Sequence, residues 1–321
     1  MARKAVVPIL VLIGALALAS APLMLKNYGV YLLSQWAVYV IAVLGLNLTL
    51  GYAGQVSLAQ GAFVGIGAYS AAILTTHGWS LGLAAVLALA LCFAIGWMLG
   101  YPALRVRHHY LAFVTLAFST LAFLVFRNEE WLTGGIYGIS GVPRPNLLGL
   151  DLSRPIPFYE LCLGVLAIVT AAMAWLIRSP WGRAFTALRE NPVRALSLGI
   201  DTRLYTLMAF AIGSALAGLA GVVYAPLVQF VDPPAFALQL SLNLLLMVIV
   251  GGQGYFFGPF LGAAVAVLLP EWLRVADAYY LVIYAAVVMV LLAVCPQGLI
   301  GLGERIFERF TVKPASPERL A

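Results

Sequence analysis

The sequence predicts an all-α polytopic membrane protein, a bundle of about ten transmembrane helices, and three observations carry that prediction. Of 321 residues 63% are hydrophobic and 9% charged, against roughly 25% charged in soluble proteins. Apolar runs of the length that a helix needs to cross a hydrocarbon core recur from end to end. The few charges are sorted: alternate connections between runs hold most of the Arg and Lys, as cytoplasmic flanks do.

The first run, 6–25, follows a basic start and ends on small residues (ALASA), which are also the features of a signal peptide. We read it as an uncleaved first helix. The second and third, 28–50 and 55–76, are interrupted by NLTLGYAGQVSLAQG, where Asn47, Gln55, Ser57 and Gln60 stand among glycines. The fourth and fifth, 80–104 and 110–126, flank a basic connection holding His108 and His109. A loop at 127–157, rich in Gly and Pro, leads to the sixth run at 158–177, and a charged island at 179–203 to the seventh at 204–227. The eighth and ninth, 235–251 and 254–272, meet at GGQG, and the short ninth is either a span or a re-entrant segment. The tenth, 279–297, precedes a basic tail at 301–321.

With the N-terminus inside, ten crossings put thirteen cationic and five acidic residues in the cytoplasm, against five and seven outside. The net charge of +6 is then a topology signal and implies no nucleic-acid partner. Cys92, Cys162 and Cys295 each fall in an apolar run, where a thiol is a packing group, and no disulfide or metal role is assigned to them. All 321 residues are read as one membrane domain, with 127–157 outside and 179–203 and 301–321 inside.

Two polar interruptions are candidates for a translocation path, because non-helical backbone at membrane depth is tolerated where it lines a wet cavity or is buried in protein. The candidate path residues are Asn47, Gln55, Ser57, Gln60, Asn243 and Gln253. Neutral groups of this kind suit a net-neutral or zwitterionic solute. Tight turns between packed helices explain the same pattern equally well. Gly213, Ala217, Gly221 and Ala225 recur every four residues, and Gly258 and Gly262 do likewise; such spacing lets helix backbones approach closely in lipid.

Almost no ionisable side chain lies inside a run, Glu160 being close to the outer end of the sixth. Proton carriers keep such groups in their path, so proton coupling is disfavoured. No GxxxxGK[ST] phosphate loop is present. If ATP drives transport, its site is on another polypeptide. No cluster of nucleophile, base or metal ligands emerges, so no catalytic or metal site is predicted. A sodium-coupled carrier or a passive channel stays open.

The island opens with Ser179-Pro180 and repeats the device at Asn191-Pro192, two N-cap and N1 pairs that start short helices. Gly199 is placed to close the second helix in a left-handed C′ conformation, and Asp201 or Thr202 to cap the helix that follows. Trp181, Phe185 and Leu188 share a face by their spacing. Arg183, Arg189 and Arg194 are then free for an acidic surface or lipid phosphates. A surface helix on a positive-inside loop is the plainer alternative.

ENPVRALSLGI from Glu190, continuing through RLYTLMAFAIGSALAGLAGVVYA, resembles the coupling loop and next helix of the branched-chain amino acid ABC transporter permease family. NLTLGYAGQVSLAQGAFVGIGAY, LLLMVIVGGQGYFFGPFLGAAV and PQGLIG resemble the same family in the same order, and within it the LivM-type subunit. Arg194 and Leu196 depart from its more usual small or acidic residues. The resemblance implies a permease subunit paired with a second, related permease and with two cytoplasmic ATPase subunits that hold ATP and Mg, no cofactor being bound by this chain. A periplasmic solute-binding protein would dock on the 127–157 loop, and the location would be a bacterial-type inner membrane with both termini cytoplasmic. It makes Ser179 to Gly199 a coupling helix. Trp181, Phe185 and Leu188 then give the buried contact with the ATPase, and Arg183, Arg189, Glu190, Asn191, Arg194, Ala195 and Gly199 its rim and frame. The implied solutes are leucine, isoleucine and valine, or related amides and urea.

Overall fold

The structure, a computed structural model, describes residues 14, 17–22, 24–105, 108–147, 150–274, 279–295 and 297–302. Most of the first apolar run and nearly all of the tail lie outside the described residues. The described residues are mainly helical, and among them six helices are long and apolar enough to cross a membrane: Asn27–Tyr52, Leu81–Tyr101, Leu111–Asn128, Pro155–Arg178, Thr202–Val228 and Pro233–Gly251. The all-α polytopic class follows directly. The predicted count of ten spans is not reached among the described residues.

Part of the difference is local, and part is that the first run lies mostly outside the described residues. α1 (Asn27–Leu46) runs into a wider π-helical turn, Asn47–Tyr52, after which Gly54 at φ +69° breaks the helix. α2 (Gln60–Thr76) therefore begins late and has 17 residues. α3 (Leu81–Arg105), α4 (His108–Asn128) and α5 (Pro155–Arg178) follow as long apolar rods. Two short helices, α6 (Pro180–Glu190) and α7 (Pro192–Ser197), precede α8 (Thr202–Val228). α9 (Leu238–Gly251) and α10 (Gly258–Leu273) are separated by the second glycine turn, and α11 is Tyr280–Val294. At 16 residues, α10 is about 24 Å long, short of a core of about 30 Å.

α8 is the axis of the bundle. It packs on α1, α2 and α3 with 78% of its apolar stretch buried, whereas the apolar stretches of α3, α4 and α5 are 28%, 28% and 22% buried and leave their outer faces uncovered among the described residues. Its small residues allow this. A Cβ at Gly221 would overlap the Val64 carbonyl on α2, and Ala217 and Ala225 are wholly buried. Gly213 lies against Gly45 and Thr49. In the same way Gly262 and Gly258 bring α10 onto the backbone of α9 at Met247 and Gly251 to Gly252. Since lipid supplies no hydrophobic drive between helices, close backbone packing of this kind holds them together.

The 127–157 segment and the helix pair α6–α7 lie at opposite ends of the bundle, because the 24-residue α5 connects them. At the first end a short ladder joins Ile139–Ser140 to Phe230–Val231, and Arg144 donates to the Ser153 carbonyl while lying over the Phe158 ring. Trp131 and Tyr137 are exposed there.

Candidate functional site

At the opposite end, two glycine turns and the helix pair converge. The π-helical turn widens the backbone: Ala53 N–H reaches the Leu48 carbonyl at 3.0 Å and Gln55 N–H the Thr49 carbonyl at 2.8 Å. Such widenings are frequent at functional positions because they re-aim side chains and free carbonyls. Here Asn47, 1% exposed, is aimed across the bundle at the other turn. Its Oδ1 accepts from Gly254 N–H at 2.9 Å and its Nδ2 donates to the Tyr255 carbonyl at 3.0 Å. One amide thus pairs two backbone groups that are 207 and 208 residues away.

The helix pair is built by its caps. Ser179 Oγ accepts from Trp181 N–H at 3.2 Å, and Asn191 Oδ1 from Val193 and Arg194 N–H at 3.1 and 3.0 Å. Asp201 then caps α8 through Arg203 and Leu204 N–H at 3.0 and 3.2 Å. Gly199, at φ +80°, closes α7: its own N–H bonds to the Leu196 carbonyl and that of Ile200 to Ala195, both at 3.0 Å. That is the double closure that a left-handed C′ glycine makes.

The apolar face of α6 turns inward. Phe185 is wholly buried and Leu188 is 3% exposed; the rings of Phe185 and Trp181 meet Tyr205 of α8 edge-on at 5.7 and 5.6 Å. Val193, Leu196 and Leu198 instead stand out at 73%, 62% and 78% exposure, and Arg183 and Arg194 are exposed as well. Arg189 reaches back to the glycine turns, donating from Nη1 to the Gly51 carbonyl at 2.5 Å.

A family model described as branched-chain amino acid transport system / permease component matches residues 28–293, which include every element of this site. The chain belongs to this family. Among curated relatives, the high-affinity branched-chain amino acid transport system permease protein LivM of Escherichia coli K12 is 34% identical over 91% of this chain and 74% of its own length. A probable branched-chain amino acid transport permease protein LivM of Methanocaldococcus jannaschii is 27% identical over 73% and 78%. An autoinducer 2 import system permease protein LsrC of Escherichia coli O9:H4 is 26% identical over 73% and 66%. No solved structure matches.

Within this permease family member the predicted residues separate into two groups. Asn47, Gln55, Ser57 and Gln60 are buried. Gln60 donates to the Ala42 and Gly213 carbonyls at 3.0 and 3.1 Å, Gln55 to Ala53, and Ser57 Oγ accepts from Ala59 N–H. Gln60 therefore staples α1, α2 and α8 together, and its amide is committed to protein carbonyls. Asn243 and Gln253 are exposed, Asn243 beside Gln239 on α9. In the helix pair, Phe185 and Leu188 face their own chain, so the partner contact expected of them is corrected: a helix with one apolar face buries it on the nearest apolar surface, and α8 is that surface. Ala195 is also buried, while Glu190 is exposed and Asn191 is committed to its cap. Val193 and Leu198, exposed in the same capped segment, are not among the residues that the sequence singled out. The three cysteines are buried and unpaired.

Proposed function

We propose that this chain is the membrane-spanning permease subunit of an ATP-binding-cassette importer that moves branched-chain amino acids, or a related small zwitterionic or polar solute, inward. The observation that carries the reading is the capped helix pair, in which Val193, Leu196 and Leu198 are exposed together with Arg183 and Arg194. Three caps and a glycine closure stabilise a segment whose apolar outer face is uncovered among the described residues. A rigid, apolar, cationic-rimmed knob suits a cleft on another protein.

On this reading the partners are two cytoplasmic ATPase subunits, which bind ATP and Mg, a second related permease and a periplasmic binding protein. The pair 180–197 is the coupling element, and ATP-driven closure moves it as a rigid body. The permease itself is non-catalytic and binds no cofactor. Both termini are cytoplasmic in a bacterial-type inner membrane, ten spans are made when the first run and the short helices are included, and 127–157 meets the binding protein. The LivM relatives favour leucine, isoleucine and valine, while the LsrC relative widens the class.

Proteoliposomes test the reading. With the two ATPase subunits and the binding protein, tritiated leucine should accumulate only with ATP inside the ATPase compartment. Uptake by the permeases alone, unchanged by ATP, would replace the proposal with a carrier or channel.

A further inference from the structure

Arg189 sits where three elements meet, and its contacts are unlike those of Arg183 and Arg194. Its stem lies against Gly54, where a Cβ would come within 3.1 Å of Cγ, and its guanidinium lies against Gly254, where a Cβ would collide with Nη1. The same nitrogen donates to the Gly51 carbonyl at 2.5 Å. Gly51 is near the end of the π-helical turn, where the last carbonyls have no partner from further along a helix. Asn47 meanwhile binds Gly254 and Tyr255. The end of α6, the 51–54 turn and the 252–255 turn are thus one hydrogen-bonded unit, with Arg189 as its link to α6.

We infer that Arg189 is a positioning residue that makes the two glycine turns move with the helix pair, so that displacement of α6 is delivered to both turns at once. This deepens the proposed function and rests on α6–α7 being the element that the ATPases move. A guanidinium is well fitted to such a link, since its planar fork stays charged and holds a carbonyl while its stem packs on backbone. Glycines at 54 and 254 leave room for that stem and head. Helix α6 without this link could shift while the turns stay with α1 and α10.

The test uses the assembled permease–ATPase complex in lipid nanodiscs. Spin labels are placed on cysteines introduced at the exposed positions Arg183, Gln253 and Trp131, the native cysteines being buried. In the wild type, trapping with ATP, Mg and vanadate should move 183 and 253 together relative to 131, with the 183-to-253 distance constant. In Arg189→Met, 183 should still move while 253 stays, so the 183-to-253 distance changes, and solute moved per ATP should fall at least about fivefold. Arg189→Lys, which keeps a donor for Gly51, should restore part of the joint movement. Joint movement and full stoichiometry in Arg189→Met would overturn the link while leaving the coupling reading intact. A wild-type 183 that does not move on trapping would overturn both.

Discussion

Asn47 Oδ1 accepts the Gly254 N–H at 2.9 Å while its Nδ2 donates to the Tyr255 carbonyl at 3.0 Å, so one buried amide joins the two glycine turns of this permease. The residue is useful because it offers a donor and an acceptor on one planar group. Asn47→Leu removes both and leaves the two backbone groups without this partner, each at a cost of about 1–3 kcal/mol. The thermal midpoint of the purified permease should fall, and transport with it. Asn47→Asp should be worse than a simple loss of one bond, because a buried carboxylate would face the Tyr255 carbonyl.

Gln60 provides the contrasting case. Both of its bonds end on backbone carbonyls of neighbouring helices, Ala42 and Gly213. Gln60→Leu should lower stability by about 1–3 kcal/mol, read as a lower thermal midpoint, while the concentration of solute giving half-maximal uptake stays unchanged. A change in that concentration without loss of stability would return Gln60 to the path.

Phe185 and Trp181 touch the same Tyr205 ring but differ in burial. Phe185→Ala should undock α6 at a cost of about 3–5 kcal/mol. Hydrogen exchange over 180–190 should rise sharply. Trp181→Ala, at a position 37% exposed, should raise it much less.

On the outer face the order reverses. Leu196→Glu and Leu198→Glu should leave the thermal midpoint of the isolated permease within about 0.5 kcal/mol of wild type, as exposed substitutions do. Co-purification of the ATPase subunits should be lost. If instead the permease unfolds and the ATPases stay bound, the exposed face is not the seat.

Gly199 separates backbone strain from contact. Its φ is +80°, and a Cβ there would meet nothing within 4 Å. Gly199→Asn, a residue that accepts the left-handed region, should be close to neutral, whereas Gly199→Val should cost about 1–2 kcal/mol in α7 closure. Proteolysis between 192 and 202 measures the difference.

The parts of this fold that were legible in the sequence are those fixed by neighbouring residues. Ser179, Asn191, Asp201 and Gly199 act on amides and carbonyls within a few positions, so the caps and the closure can be read without knowledge of any distant contact. Long apolar runs announce the bundle for the same reason. What the sequence could not decide was occupancy. The spacing of Trp181, Phe185 and Leu188 defines a face, but an apolar face fits its own α8 as well as a partner, and the structure places it on α8. Likewise Asn47 and Gln60 stand out as polar residues in apolar runs. Whether they line a path or staple helices depends on partners such as Gly254 and Gly213, which lie far along the chain. Of the four runs beyond the six long helices, two are shortened where glycine interruptions consume residues that their hydropathy had assigned to a span, one is the 15-residue α11, and the first lies mostly outside the described residues.

Whether the helix pair is the ATPase seat is measured directly by a thiol cross-link from it in the assembled complex. A cysteine at Leu196, joined to a short bifunctional reagent in native membranes, should capture an ATPase subunit, and one at Trp131, at the other end of the bundle, should not. Capture from Trp131 with none from Leu196 would show that the helix pair is not the seat.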